Sequence, residues 1–75
     1  MQENEQKYLY NISQNIKKFR EGKGFSQEFL AEQVDCSREF INRVENRKED
    51  VSLKMLLKIA FFLEVQPQKF FDDVI

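Results

Sequence analysis

The sequence predicts one all-α domain of five short helices, on three observations. Apolar residues recur at spacings of three and four along most of its 75 residues, and nowhere do they alternate as they do in a strand. Serine caps, glycines and one proline divide that pattern at regular intervals. The length suits a single core, near the lower limit of what folds on burial without disulfides or metals, so residues 1–75 read as one domain.

The first helix carries Leu9, Ile12, Ile16 and Phe19 on its inward stripe, is expected to fray at its start, and stops at Gly22 and Gly24. Ser26 caps the second, with Gln27 and Glu28 in its first turn and Phe29, Leu30, Ala31 and Val34 as its buried face. Ala31 is small where two helices must meet closely. After a short break Ser37 caps the third helix, whose apolar Ile41 and Val44 leave Arg38, Glu39, Asn42 and Arg43 pointing outward. The stretch from Asn46 to Asp50 is a loop. Ser52 then caps a fourth helix with Leu53, Leu56, Ala60 and Leu63 inward. Pro67 opens a short fifth helix that returns Phe70 and Val74 to the core.

Helices two and three, about residues 26–46, have the pattern of a helix-turn-helix that reads duplex DNA, with polar and basic side chains at the front of the second element. The net charge of −1 does not by itself favour nucleic acid. Distribution does. Lys17, Lys18, Arg20 and Lys23 cluster at the end of the first helix, and Arg38, Arg43, Arg47 and Lys48 run along and after the third. The acids Glu3, Glu5, Glu64, Asp72 and Asp73 are expected to gather away from this face. Arg38 is the candidate base reader, since its guanidinium can bond guanine O6 and N7 together. Glu39 is a selective element that disfavours wrong sequences, and Asn42 and Arg43 reach sugar-phosphate or an adjacent base edge. Phe40 is either partly buried at the crossing of helices one and three or set against a thymine methyl.

Ser26–Gln27, Leu30–Ala31, the span from Ile41 to Glu45, and Leu56, Ala60 and Leu63 together resemble the Cro/CI-type, or XRE, helix-turn-helix regulators over about residues 10 to 71. The resemblance implies a lambda-repressor-like fold and a transcriptional regulator that binds a short inverted repeat in double-stranded DNA. It implies an ion pair between Arg20 and Glu45, and a Gln27 that lies over the DNA backbone and braces the first residue of the recognition helix. The expected DNA-facing set is Ser26, Gln27, Ser37, Arg38, Glu39, Phe40, Asn42, Arg43, Asn46, Arg47 and Lys48. The run from Arg38 to Ile41 also resembles the restriction-modification controller proteins within that family.

Two positions depart from the family pattern. Asp35 stands at the turn position usually held by glycine, and it is one of the few other residues that tolerate a left-handed backbone. Cys36 follows it and is read as structural. The C-terminal region, about 52–75, holds more aromatic surface than so small a core needs. Phe61, Phe62, Phe71 and Ile75 are accordingly assigned to a homodimer interface.

An enzyme is not expected, because the chain has no His, no phosphate-cradling glycine loop, no nucleophile beside a base and no metal-ligand spacing. No catalytic residue, metal, cofactor, small-molecule ligand or membrane partner is assigned. The single Cys and the lack of a signal or spanning segment suit a free-standing cytoplasmic protein. The alternative is a helix-turn-helix used as a protein-protein adapter.

Overall fold

The computed structural model describes residues 2–74, with side chains from residue 5 onward. Four α-helices run in order, α1 (Gln2–Gly22), α2 (Gln27–Gln33), α3 (Arg38–Glu45) and α4 (Leu53–Leu63), followed by a 3-10 turn, Pro67–Phe71. The described residues contain no strand. The predicted fifth helix is thus corrected to a turn. Pro67 donates no amide, and the bonds from Lys69 N to Gln66 O and from Asp72 N to Lys69 O close tight three-residue steps that are not continued.

Each of the three later α-helices starts on a serine. Ser26, Ser37 and Ser52 each accept, at 3.0 Å, the backbone N–H three residues on, from Phe29, Phe40 and Met55. All four helices end on a left-handed residue, Gly24, Asp35, Arg47 and Glu64, with φ between +60° and +76°. Just beyond each, an amide reaches back to a free carbonyl: Phe25 N to Arg20 O, Cys36 N to Ala31 O, Lys48 N to Arg43 O and Val65 N to Ala60 O. Only Gly24 adopts this conformation without a side-chain penalty.

One core unites the elements: Ile12 and Ile16 from α1, Leu30, Ala31 and Val34 around α2, Ile41 and Val44 from α3, Leu56, Ile59, Ala60 and Leu63 from α4, and Phe70. Four expected core positions fail: Leu9 and Val74 stay partly buried outside the core, and Leu53 and Phe29 lie at the surface. Leu53, at the first residue of α4, is 69% exposed, and Ile59 completes the inward stripe in its place. Phe29 also lies at the surface, because Leu30, Ala31 and Val34 already fill the arc that α2 presents. It packs instead against Phe25 at a centroid distance of 4.9 Å.

The C-terminal segment is tied to α1 by two buried asparagines one helical turn apart. Asn15 Nδ2 donates to the carbonyls of Phe70 and Asp72 at 3.0 and 2.8 Å. Asn11 Nδ2 donates to the carbonyl of Phe71 at 3.3 Å and to Asp73 Oδ1 at 3.2 Å. Phe70, held this way, stacks edge-on against Phe19. Neither asparagine is distinguishable in the sequence from an ordinary polar residue on the outer face of a helix.

Candidate nucleic-acid interface

The back of α3 is fixed by an ion pair. Arg20 Nε donates to Glu45 Oε2 at 2.7 Å and Arg20 Nη2 to Glu45 Oε1 at 2.9 Å, a two-point contact between residues that are 7% and 3% exposed. Arg20 Nη1 donates to the carbonyl of Phe25 at 2.7 Å, so one guanidinium ties α1 to α3 and to the turn before α2. These bonds to Glu45 hold the Arg20 pKa above its ordinary value despite burial. Gln14 adds a bond from Nε2 to the backbone carbonyl of Glu45 at 3.3 Å.

Gln27 completes the frame from α2. Its Nε2 donates to Glu45 Oε1 at 3.0 Å, and its Oε1 accepts from Asn42 Nδ2 at 3.3 Å. Its bracing contact therefore falls on Asn42 rather than on Arg38, the first residue of α3, because the amide is already drawn inward to Glu45. Asn46 Nδ2 donates to the Asn42 carbonyl at 2.9 Å, which folds that side chain back over the helix end. Ser26 and Ser37 each accept one backbone N–H at the caps of α2 and α3, which leaves the hydroxyl proton to donate.

On the opposite side of α3, Arg38, Glu39, Asn42 and Arg43 are exposed, while Phe40 is half-buried and packs against the core. The arginines of this surface lie beside carboxylates. Arg43 Nε donates to Glu49 Oε1 at 2.7 Å, Arg47 Nη1 to Asp50 Oδ1 at 2.9 Å, and Arg38 Nη2 lies 3.7 Å from Glu39 Oε2. The expected segregation of acids from bases is corrected accordingly. Glu49 and Asp50 follow Lys48 directly, and beyond the left-handed turn at Arg47 the first folds back onto Arg43 of α3 while the second pairs with Arg47 itself. Lys23 likewise pairs with Glu64 at 3.0 Å, across 41 residues of chain. Lys48, Lys17 and Lys18 are exposed.

Phe61, Phe62 and Phe71, assigned together to an interface, separate into three situations. Phe62 is half-buried, with its ring centroid 5.4 Å from Phe25 and 6.0 Å from Phe29. Phe71 is exposed beside Tyr8, edge to face at 6.1 Å. Phe61 is 87% exposed and borders a shallow apolar groove with Leu57, Ala60, Val65 and Pro67. Leu57 belongs to the same exposed strip and was not singled out by its spacing. Ile75 lies outside the described residues. Cys36 is partly buried, and that burial pushes its thiol pKa up, outweighing the opposing pull of the nearby Lys58 ammonium.

Two short helices locked together with the second displaying its front are the architecture of a helix-turn-helix. Residues 16–70 match the helix-turn-helix family, and the chain belongs to its XRE-type DNA-binding transcription regulators. It is 38% identical over 60 residues to the control protein C.MunI of a Mycoplasma species, covering 79% of this chain and 81% of that protein. Its fold resembles the restriction-modification controller protein C.AhdI of Aeromonas hydrophila, with TM-score 0.78 and 35% identity over 84% of this chain and 91% of that one. It also resembles SinR of Bacillus subtilis, the master regulator for biofilm formation, solved in complex with DNA. That match has TM-score 0.76 and 29% identity over 81% and 98% of the two chains. No helix among the described residues is long and apolar enough to cross a membrane.

Proposed function

We propose that the protein is a non-enzymatic, cytoplasmic transcription regulator of the restriction-modification controller type, which binds a short inverted repeat in duplex DNA as a homodimer. One observation carries this reading. Arg20, Gln27 and Gln14 hold α3 from behind through Glu45, while the face bearing Arg38, Asn42 and Arg43 stays open to a major groove. In this arrangement Arg38 reads a guanine, Lys48 meets phosphate, and Ser26 and Gln27 bring the start of α2 to the backbone. The likeness to C.MunI and C.AhdI, both control proteins by name, supports the controller assignment.

Dimerisation rests on the strip of Leu57 and Phe61, apolar surface that the domain leaves uncovered, and on Phe71, exposed separately beside Tyr8. A two-fold pair reads two half-sites where one α3 specifies too few base pairs. Selection of bound fragments from random duplex DNA, followed by salt titration on the enriched site, tests the whole reading. An enriched inverted repeat bound with a steep salt dependence is the expected result. Absence of DNA retention at low salt would instead indicate a protein-protein adapter.

A further inference from the structure

We infer that Glu49 is a positioning residue that converts Arg43 from a phosphate contact into a second reader of guanine. This rests on the DNA-binding reading above. Of the exposed arginines on α3, Arg43 alone is held through Nε, in a 2.7 Å charge-assisted bond to Glu49 Oε1. Among the described residues its two Nη groups make no hydrogen bond. Anchoring Nε fixes the guanidinium plane and leaves the Nη1 and Nη2 fork, the pair of donors that meets guanine O6 and N7 end-on.

Charge supports the same assignment. A free Arg43 would move to the nearest phosphate, a contact offered equally by every sequence. Paired with Glu49, it presents a nearly neutral unit to the backbone, and only a correctly placed guanine edge offers the fork a two-point partner. The Arg47–Asp50 pair differs, because there a terminal Nη1 is occupied and the end-on fork is broken. Arg43 lies five residues after Arg38, about 7.5 Å further along the helix axis and about 140° around it, so the two side chains leave α3 in different directions. The two arginines would therefore specify separate guanines in one half-site.

The test compares Arg43→Ala, Glu49→Ala and Glu49→Gln with the unmodified protein in selection from random DNA and in salt titrations on the enriched site. Arg43→Ala should lower affinity for that site about tenfold or more and erase the preference at one guanine, distinct from the one erased by Arg38→Ala. Glu49→Ala should erase the same preference, raise affinity for random DNA and steepen the salt slope by about one, because the freed arginine takes a phosphate. Glu49→Gln keeps an oxygen to accept from Nε and should restore most of the preference. Thermal melting should be unchanged in both Glu49 variants, since the pair is at the surface. An Arg43→Ala protein with every base preference intact and a salt slope flatter by about one overturns the inference, as does a Glu49→Ala protein that keeps the guanine. Failure of the unmodified protein to enrich any motif overturns the DNA-binding reading as well.

Discussion

Gln27 donates to the same Glu45 oxygen, Oε1, that accepts from Arg20, at 3.0 Å beside a bond of 2.9 Å. The carboxylate that anchors α3 to α1 thus also sets the amide that steadies Asn42 on the exposed face. Stability and aim converge on one buried side chain.

Glu45→Ala should therefore lose on both counts. It leaves the buried Arg20 guanidinium without its carboxylate, which costs about 3 kcal/mol when one member of such a pair is removed. Thermal denaturation followed by circular dichroism should show a large fall in Tm. DNA affinity of the folded fraction should drop as well, because Gln27 and Asn42 lose their register.

Arg38→Ala should weaken binding to the specific site by about 1 to 3 kcal/mol while leaving random-sequence DNA nearly unaffected. Lys48→Ala should instead weaken both and flatten the salt slope by about one. Fluorescence anisotropy titrations at several salt concentrations separate the two patterns. Equal losses for Arg38→Ala on both DNAs would remove its base-reading role.

Phe61→Glu should give a folded monomer, since this ring contributes little to its own core at 87% exposure. Sedimentation at micromolar concentration should show the parent as a dimer and the variant as a single chain with an unchanged far-ultraviolet spectrum. Specific affinity should fall with it. A parent that is monomeric both free and on operator DNA would refute the assignment.

Asp35→Gly should stabilise the domain by about 0.5–1 kcal/mol, raising Tm by a few degrees. The residue sits at φ +60°, where a Cβ is strained, and that relief exceeds the extra chain entropy of glycine when unfolded. A Tm equal to or below the parent's would mean that Asp35 contributes a favourable interaction to this turn.

Cys36 should react with iodoacetamide more slowly in the folded protein than in the unfolded chain at mildly alkaline pH, because burial keeps its thiol protonated. Its pKa is raised on folding, so its contribution to stability is complete below the ordinary thiol pKa and declines as pH rises through and above it. Cys36→Ala should remove that alkaline decline, read as Tm against pH.

Much of the frame was legible because it depends on local rules. Ser26, Ser37 and Ser52 announced three helix starts, and Ile41 and Val44 oriented α3 by spacing alone. What escaped depends on distant contacts or on backbone geometry without a sequence signal. Arg47 and Glu64 are poor left-handed residues by propensity, and only tertiary packing places them there. That same turn brings Glu49 to Arg43, so the charge pattern along the chain was misleading about the charge pattern in space. Phe62 and Phe61 are adjacent, yet one finds Phe25 and Phe29 while the other finds solvent.

The asparagine ties between α1 and the C-terminal segment carry a consequence for the order of assembly. Asn11 and Asn15 hold partners 54 to 62 residues away, whereas the side-chain bonds that frame α3 span 15 to 31. Short closures lose less chain entropy and form sooner. A folding chain therefore docks α3 on α1 and α2 while the seat of Phe70 is still empty and the side of α1 that the C-terminal segment covers is still bare. In that interval, more than in the finished molecule, the protein is open to proteases and to association with its own copies.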